Sequence, residues 1–158
     1  PGYIAGILKE ENNSIWIGRV RTLKLRGHAV KIFPKLKLHG ENEMEELVLD
    51  AYETEHITEI REAKDKSIWI GKVKKLELKD YAIQLLPKLK LQKENAMEEL
   101  VLSADSPEHI TEILEAKDKS IWLRKVKVLR LKGHTEKIKD KLDFILIAPD
   151  GQEEIGGA

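Results

Sequence analysis

The chain has 158 residues, with 28 Lys plus Arg against 28 Asp plus Glu, so its formal charge is zero. That length suits one domain rather than two, and the charge balance argues against a general nucleic-acid or polybasic membrane binder. Cysteine is absent, which excludes disulfides, thiolate metal sites and cysteine nucleophiles. With no signal-peptide pattern and no apolar run of membrane-spanning length, an intracellular location and no membrane partner are expected.

Taken along the chain, Tyr3, Ile4, Ile7 and Leu8 have the spacing of one apolar helix face. No strand precedes that helix, so part of its face is expected to fray or to pack on a neighbouring molecule. Half-buried strands follow at Leu23/Leu25, Leu47/Leu49, Leu76/Leu78, Leu100/Leu102 and Leu129/Leu131. Each is preceded by an apolar residue three positions earlier (Val20, Met44, Val73, Met97, Val126), giving the phrase apolar-x-x-Leu-x-Leu. Between them, Ile57 and Ile60 after Thr54 predict a helix. Tyr81–Pro87 allows only a helical turn, because proline limits what precedes it. Ser106-Pro107-Glu108 is a capping hydroxyl, a first-turn proline and a carboxylate against the dipole, opening a helix with Ile110, Ile113 and Leu114 inward. Phe144–Ile147, then Pro149-Asp150-Gly151, reads as a last strand and a turn capping the C-terminus.

These elements repeat. Ser-Ile-Trp recurs at Ser14, Ser67 and Ser120, 53 residues apart, and the strands are spaced 24, 29, 24 and 29 residues. The chain is thus expected to be a single repeat domain of three units, 1–53, 54–106 and 107–158, the last diverging into a cap. Helices between strands imply crossover connections and a parallel sheet.

The strand phrase and its alternating 24/29 spacing resemble the leucine-rich repeat family, in an irregular form, from Val20 to about Leu131. The resemblance implies an α/β fold, a right-handed solenoid with a parallel concave sheet and helices on the convex side. It departs from the family where a ladder asparagine is usual, three residues past the second Leu. This chain has His28, Tyr52, Tyr81, Asp105 and His134 there.

No chemistry-bearing constellation stands out. His56 with Glu59 and His109 with Glu112 lie one helical turn apart, but neither pair has the third ligand that zinc needs. They read as exposed helical pairs copied by duplication, and His28 and His134 as turn residues. Glu45-Glu46 and Glu98-Glu99 read as a solvated face. No phosphate loop, nucleophile elbow or zinc-protease motif is present. The chain is therefore expected to be no enzyme and to need no cofactor or metal. Trp16, Trp69 and Trp122, each between apolar neighbours such as Ile15/Ile17, are expected to stack in the interior.

Strand parity places charged rows across the sheet: Thr22, Glu46, Lys75, Glu99, Val128, then Lys24, Val48, Glu77, Val101, Arg130, then Arg26, Asp50, Lys79, Ser103, Lys132. Opposite charges meet along them. The expected function is a non-catalytic module that binds another protein through this concave face. Its candidate residues are Lys24, Arg26, Glu46, Val48, Lys75, Glu77, Lys79, Glu99, Val101 and Arg130. Basic residues lie beside acidic strands with no aromatic platform interleaved, which disfavours nucleic acid. The alternative is a structural or self-assembling scaffold, engineered or cut from a longer array, joining copies through open ends.

Overall fold

The computed structural model describes residue 6, residues 9–147 and residues 153–155. The expected N-terminal helix face (Tyr3, Ile4, Ile7, Leu8) and the Pro149–Gly151 turn lie outside the described residues. The strands are β1 (Ile15–Gly18), β2 (Thr22–Arg26), β3 (Leu36–Leu38), β4 (Glu43–Ala51), β5 (Ile68–Asp80), β6 (Leu89–Leu91), β7 (Ala96–Ala104), β8 (Ile121–Gly133), β9 (Leu142–Ile147) and β10 (Glu153–Ile155). The fold is α/β with a parallel sheet: β2, β4, β5, β7, β8 and β9 lie side by side in that order, and β10 joins β9 antiparallel.

The two 13-residue strands, β5 and β8, each serve two faces. The second half of β5 pairs with β4 and β7, whereas Ile68–Gly71 at its start pairs with β6. Likewise β8 pairs with β7 over Lys125–Gly133 and with β9 over Ile121–Val126. A corner makes this possible. Val73 and Leu76 are buried while Lys74 and Lys75 between them are half-buried, so period-two alternation breaks and the strand bends there. The register also slips between Trp69 and Gly71, and between Trp122 and Arg124. In chain order β1–β3 is the corresponding pair of the first unit.

The core lies between these faces. Leu47, Leu49, Leu76, Leu78, Leu100 and Leu102 point inward with no exposed surface, meeting Ile70, Leu123 and the apolar side chains Ile83 and Leu85. Burying each such side chain contributes about 1.5–3 kcal/mol, an upper bound.

The segments expected as helices are mostly 3₁₀ turns: Thr54–His56, Ile60–Glu62, Tyr81–Lys88 and Pro107–Ile110, with one α-helical turn at Thr111–Leu114. Runs this short do not repay α-helix nucleation, and Pro87 inside its segment lacks the N–H that an α-helix uses. Ser106 does cap its segment, accepting the Glu108 N–H at 3.4 Å.

The histidine pairing differs from the expectation. His56 and His109 are buried at 1% and 8% exposure, while Glu59 and Glu112 are exposed. Each imidazole folds back on the segment start, its Nδ1 accepting the backbone N–H of Glu53 or Ser106 at 3.2 Å. Tyr52 and Tyr81, three residues past the second Leu of their strands, pack edge-on against these rings at 4.6 Å. Two buried asparagines, Asn42 and Asn95, 53 residues apart, satisfy backbone groups just ahead of the Leu-x-Leu segments. Asn42 Oδ1 accepts the Val20 N–H at 2.7 Å and its Nδ2 donates to the Val20 carbonyl at 3.2 Å. Asn95 Oδ1 accepts the Val73 N–H at 2.9 Å.

Positive φ angles repeat as well. Asn13, Gly18 and Gly27 correspond to Lys66, Gly71 and Asp80, and to Lys119, Arg124 and Gly133, at steps of 53 residues. The backbone therefore repeats even where the residue types differ.

Candidate functional site

The rows expected from parity are the observed registers. Thr22, Glu46, Lys75, Glu99 and Val128 are consecutive partners across five strands, as are Lys24, Val48, Glu77, Val101 and Arg130. The charges then form a continuous zigzag. Lys24 Nζ lies 3.2 Å from one Glu46 oxygen, and Lys75 Nζ lies 3.5 Å from the other. Lys75 also lies 3.5 Å from Glu99, which Arg130 contacts through Nε. The first row ends in uncharged Thr22 and Val128, so cations two residues further along their strands supply the ends diagonally, within side-chain reach.

The electrostatics follow the geometry. The hydrogen bond from Lys24, then the Lys24 and Lys75 charges, holds the Glu46 carboxyl below the usual range against its desolvation. Glu99 is lowered first by the Arg130 hydrogen bond, with Lys75 adding to it. Lys75 is raised, foremost by the charge of Glu99. These groups are only partly buried and stay in contact with solvent, so each pair contributes little to stability singly.

Arg26 donates to Asp50 at 3.2 Å and lies over the Tyr52 ring, 5.0 Å from its centroid. Lys79 stands in register with Asp50. Val48 and Glu77 are half-buried at the middle of the face. Val101 is only 3% exposed, covered by its neighbours, and presents almost nothing to a partner. The structure thus gathers Lys24, Arg26, Glu46, Val48, Lys75, Glu77, Lys79, Glu99 and Arg130 on one face.

Two groupings were not anticipated. His28, Glu55 and His56 converge, with ligand atoms within 4.8 Å of one another. Fold contacts linking the first two units bring His28 to His56, rings 4.7 Å apart, which helical spacing does not reveal. His56 Nδ1 already accepts the Glu53 N–H, so the neutral ring carries its proton on Nε2 and has no lone pair left for a metal. Burial, then His28, lowers its pKa further toward the neutral form. That leaves His28 and Glu55, short of the ligands zinc requires.

The second concerns the tryptophans, where the expected interior stack is overturned. Trp16 is 59% exposed and Trp122 52% exposed, and Trp69 is half-buried. Alternation explains it. Ile70, Ile121 and Leu123 face the core, so an indole flanked by such residues on an extended strand points the other way. Flanking isoleucines were therefore a signal of exposure.

Comparison with protein-family models, curated proteins and solved structures finds no match. Among the described residues no helix is long and apolar enough to cross a membrane.

Proposed function

We propose that the chain is a non-catalytic, leucine-rich-repeat-like solenoid of three units that binds another protein through its charged strand face. The observation that carries this reading is the zigzag from Lys24 through Glu46, Lys75 and Glu99 to Arg130, running unbroken across five strands. Side chains locked in mutual ion pairs form a pre-ordered surface, which lowers the entropy lost on docking. Complementary charge on a partner then sets register and association rate more than raw affinity. Half-buried Val48 and Glu77 lie at the centre of that surface. The resemblance in strand phrase and spacing supports the solenoid, and the buried Asn42 and Asn95 clamps support it independently.

The test is affinity capture followed by cross-linking, comparing the intact chain with a charge-conserving swap, Lys75→Glu with Glu77→Lys. Partners whose cross-links map to β4, β5 and β7 and disappear in the swap support the reading. Partners indifferent to the swap overturn it for this face. Light scattering over a concentration series addresses the scaffold alternative, for which mass must grow with concentration.

A further inference from the structure

A groove of about 570 Å³ lies on the other β face, between the first halves of β5 and β8. Trp69 and Trp122 line it together with Lys66, Lys90, Lys93 and Arg124, against a single carboxylate, Glu94. Lys66 Nζ lies 3.2 Å from the centre of the Trp122 ring, and the Arg124 guanidinium lies 5.7 Å from it. Trp69 and Lys90 are register partners on adjacent strands. The preceding unit repeats that arrangement with Trp16 beside Lys37, both exposed. In the last unit the partner of Trp122 is Asp143, so the basic series ends there.

The groove also holds two of the left-handed positions that recur in every unit. Lys66 and Arg124 stand at φ 58 and 68, a region that L side chains rarely occupy. The positions equivalent to Arg124 in the other units are Gly18 and Gly71. Two of the groove's four cations are thus held in left-handed backbone, and one of them where glycine fits more easily.

We propose that this groove binds single-stranded nucleic acid, with bases stacking on the indoles and phosphates meeting the cationic rim. The excess of cations selects an anion. Repetition of indole and ammonium in successive units favours a polymer over a small molecule. Lysine is depleted at the cores of protein interfaces, whereas stacking aromatics interleaved with cations are the pattern of single-strand sites. This site is separate from the charged strand face and does not depend on it.

Fluorescence anisotropy of labelled oligo(dT) and oligo(rA), titrated with the intact chain at several salt concentrations, tests the proposal. Saturable binding is expected, with log K falling against log salt at a slope of about −3 for four neutralised phosphates. Trp122→Ala is expected to weaken binding about 5- to 150-fold, the loss of one stacked base. The exposed pair Lys90→Glu with Lys93→Glu is expected to flatten the salt slope by at least about 1.4. Both variants change solvent-facing side chains, and circular dichroism checks that the fold survives. The proposal is overturned by absence of binding at low salt, or by binding that Trp122→Ala leaves unchanged. It is equally overturned if poly-glutamate competes as well as the oligonucleotides, which assigns the groove to an acidic protein.

Discussion

Asn42 is the residue whose removal tests the fold most sharply. Its side chain is 1% exposed and satisfies both backbone groups of Val20, 22 residues earlier, at 2.7 and 3.2 Å. Its own carbonyl accepts the Lys72 N–H at 3.0 Å, so one residue ties the starts of β2 and β4 to β5 just past its β6-paired segment. Asn42→Ala keeps the backbone link and deletes the side-chain clamp. Each lost bond costs about 1 kcal/mol net, rising toward 3 where the orphaned group stays dry. Val20 is half-buried, so water reaches part of it, and the sum is about 2–3 kcal/mol. For a chain of this length that corresponds to a Tm lowered by about 4–12 °C. Asn95 makes one such bond, to the Val73 N–H, while its Nδ2 is buried without a partner among the described residues. Asn95→Ala therefore loses less and relieves an unsatisfied donor, and should cost about 1 kcal/mol or below. Urea unfolding gives the two energies, and amide exchange at Val20 and Val73 localises them. If Asn95→Ala proves as costly as Asn42→Ala, or if Val20 exchange is unchanged in Asn42→Ala, the clamp argument is wrong.

Acid should destabilise the protein in two stages. His56 has its pKa lowered by burial, so its contribution is complete above the ordinary value of 6.5 and declines as pH falls below it. Glu46 and Glu99 are lowered by their cationic partners, so theirs is present above the usual carboxylate range and is lost as pH falls through the lowered values. Thermal melts should be flat from neutrality up to the ordinary lysine value of 10.5, above which the raised Lys75 loses its contribution, and His56→Gln should remove the upper stage of the acid decline. Lys75→Glu sets three carboxylates in consecutive register, and its melting temperature should fall more in low salt than in high salt. An equal fall at both salt concentrations would point to packing instead of charge.

Much of the strand face was legible because its signals are local and periodic. Leu-x-Leu pairs fix which side chains turn inward, and the 24/29 spacing aligns neighbouring strands, so the row through Lys75 emerges in its observed register. The diagonal ends at Lys24 and Arg130 depend on side-chain reach, which parity does not encode. The β3 and β6 strands are only three residues long, too short for periodicity to register. The tryptophan groove was hidden for another reason. Trp69 and Lys90 are 21 positions apart in sequence and meet only because β6 pairs with the first half of β5. An aromatic and a cation so separated do not look interleaved until the second β face exists.

Arg124 joins stability to the proposed groove, because the repeat supplies its control. The same position is Gly18 and Gly71 in the other two units, at φ 71 and 68, and the arginine adopts φ 68. Holding a side chain in the left-handed region costs about 1–3 kcal/mol. Glycine removes that cost but loses about 0.5–1 kcal/mol through the greater freedom of its unfolded chain. Arg124→Gly should therefore stabilise the protein by about 1 kcal/mol, raising Tm by about 2–4 °C. It should also weaken oligonucleotide binding and reduce the salt slope by about 0.7, the share of one phosphate contact. A stabilised variant that binds less well is the signature of strain retained for a ligand. A variant that is neither stabilised nor impaired removes Arg124 from the argument, whereas one that is stabilised yet binds normally shows that the strain serves no ligand in the groove.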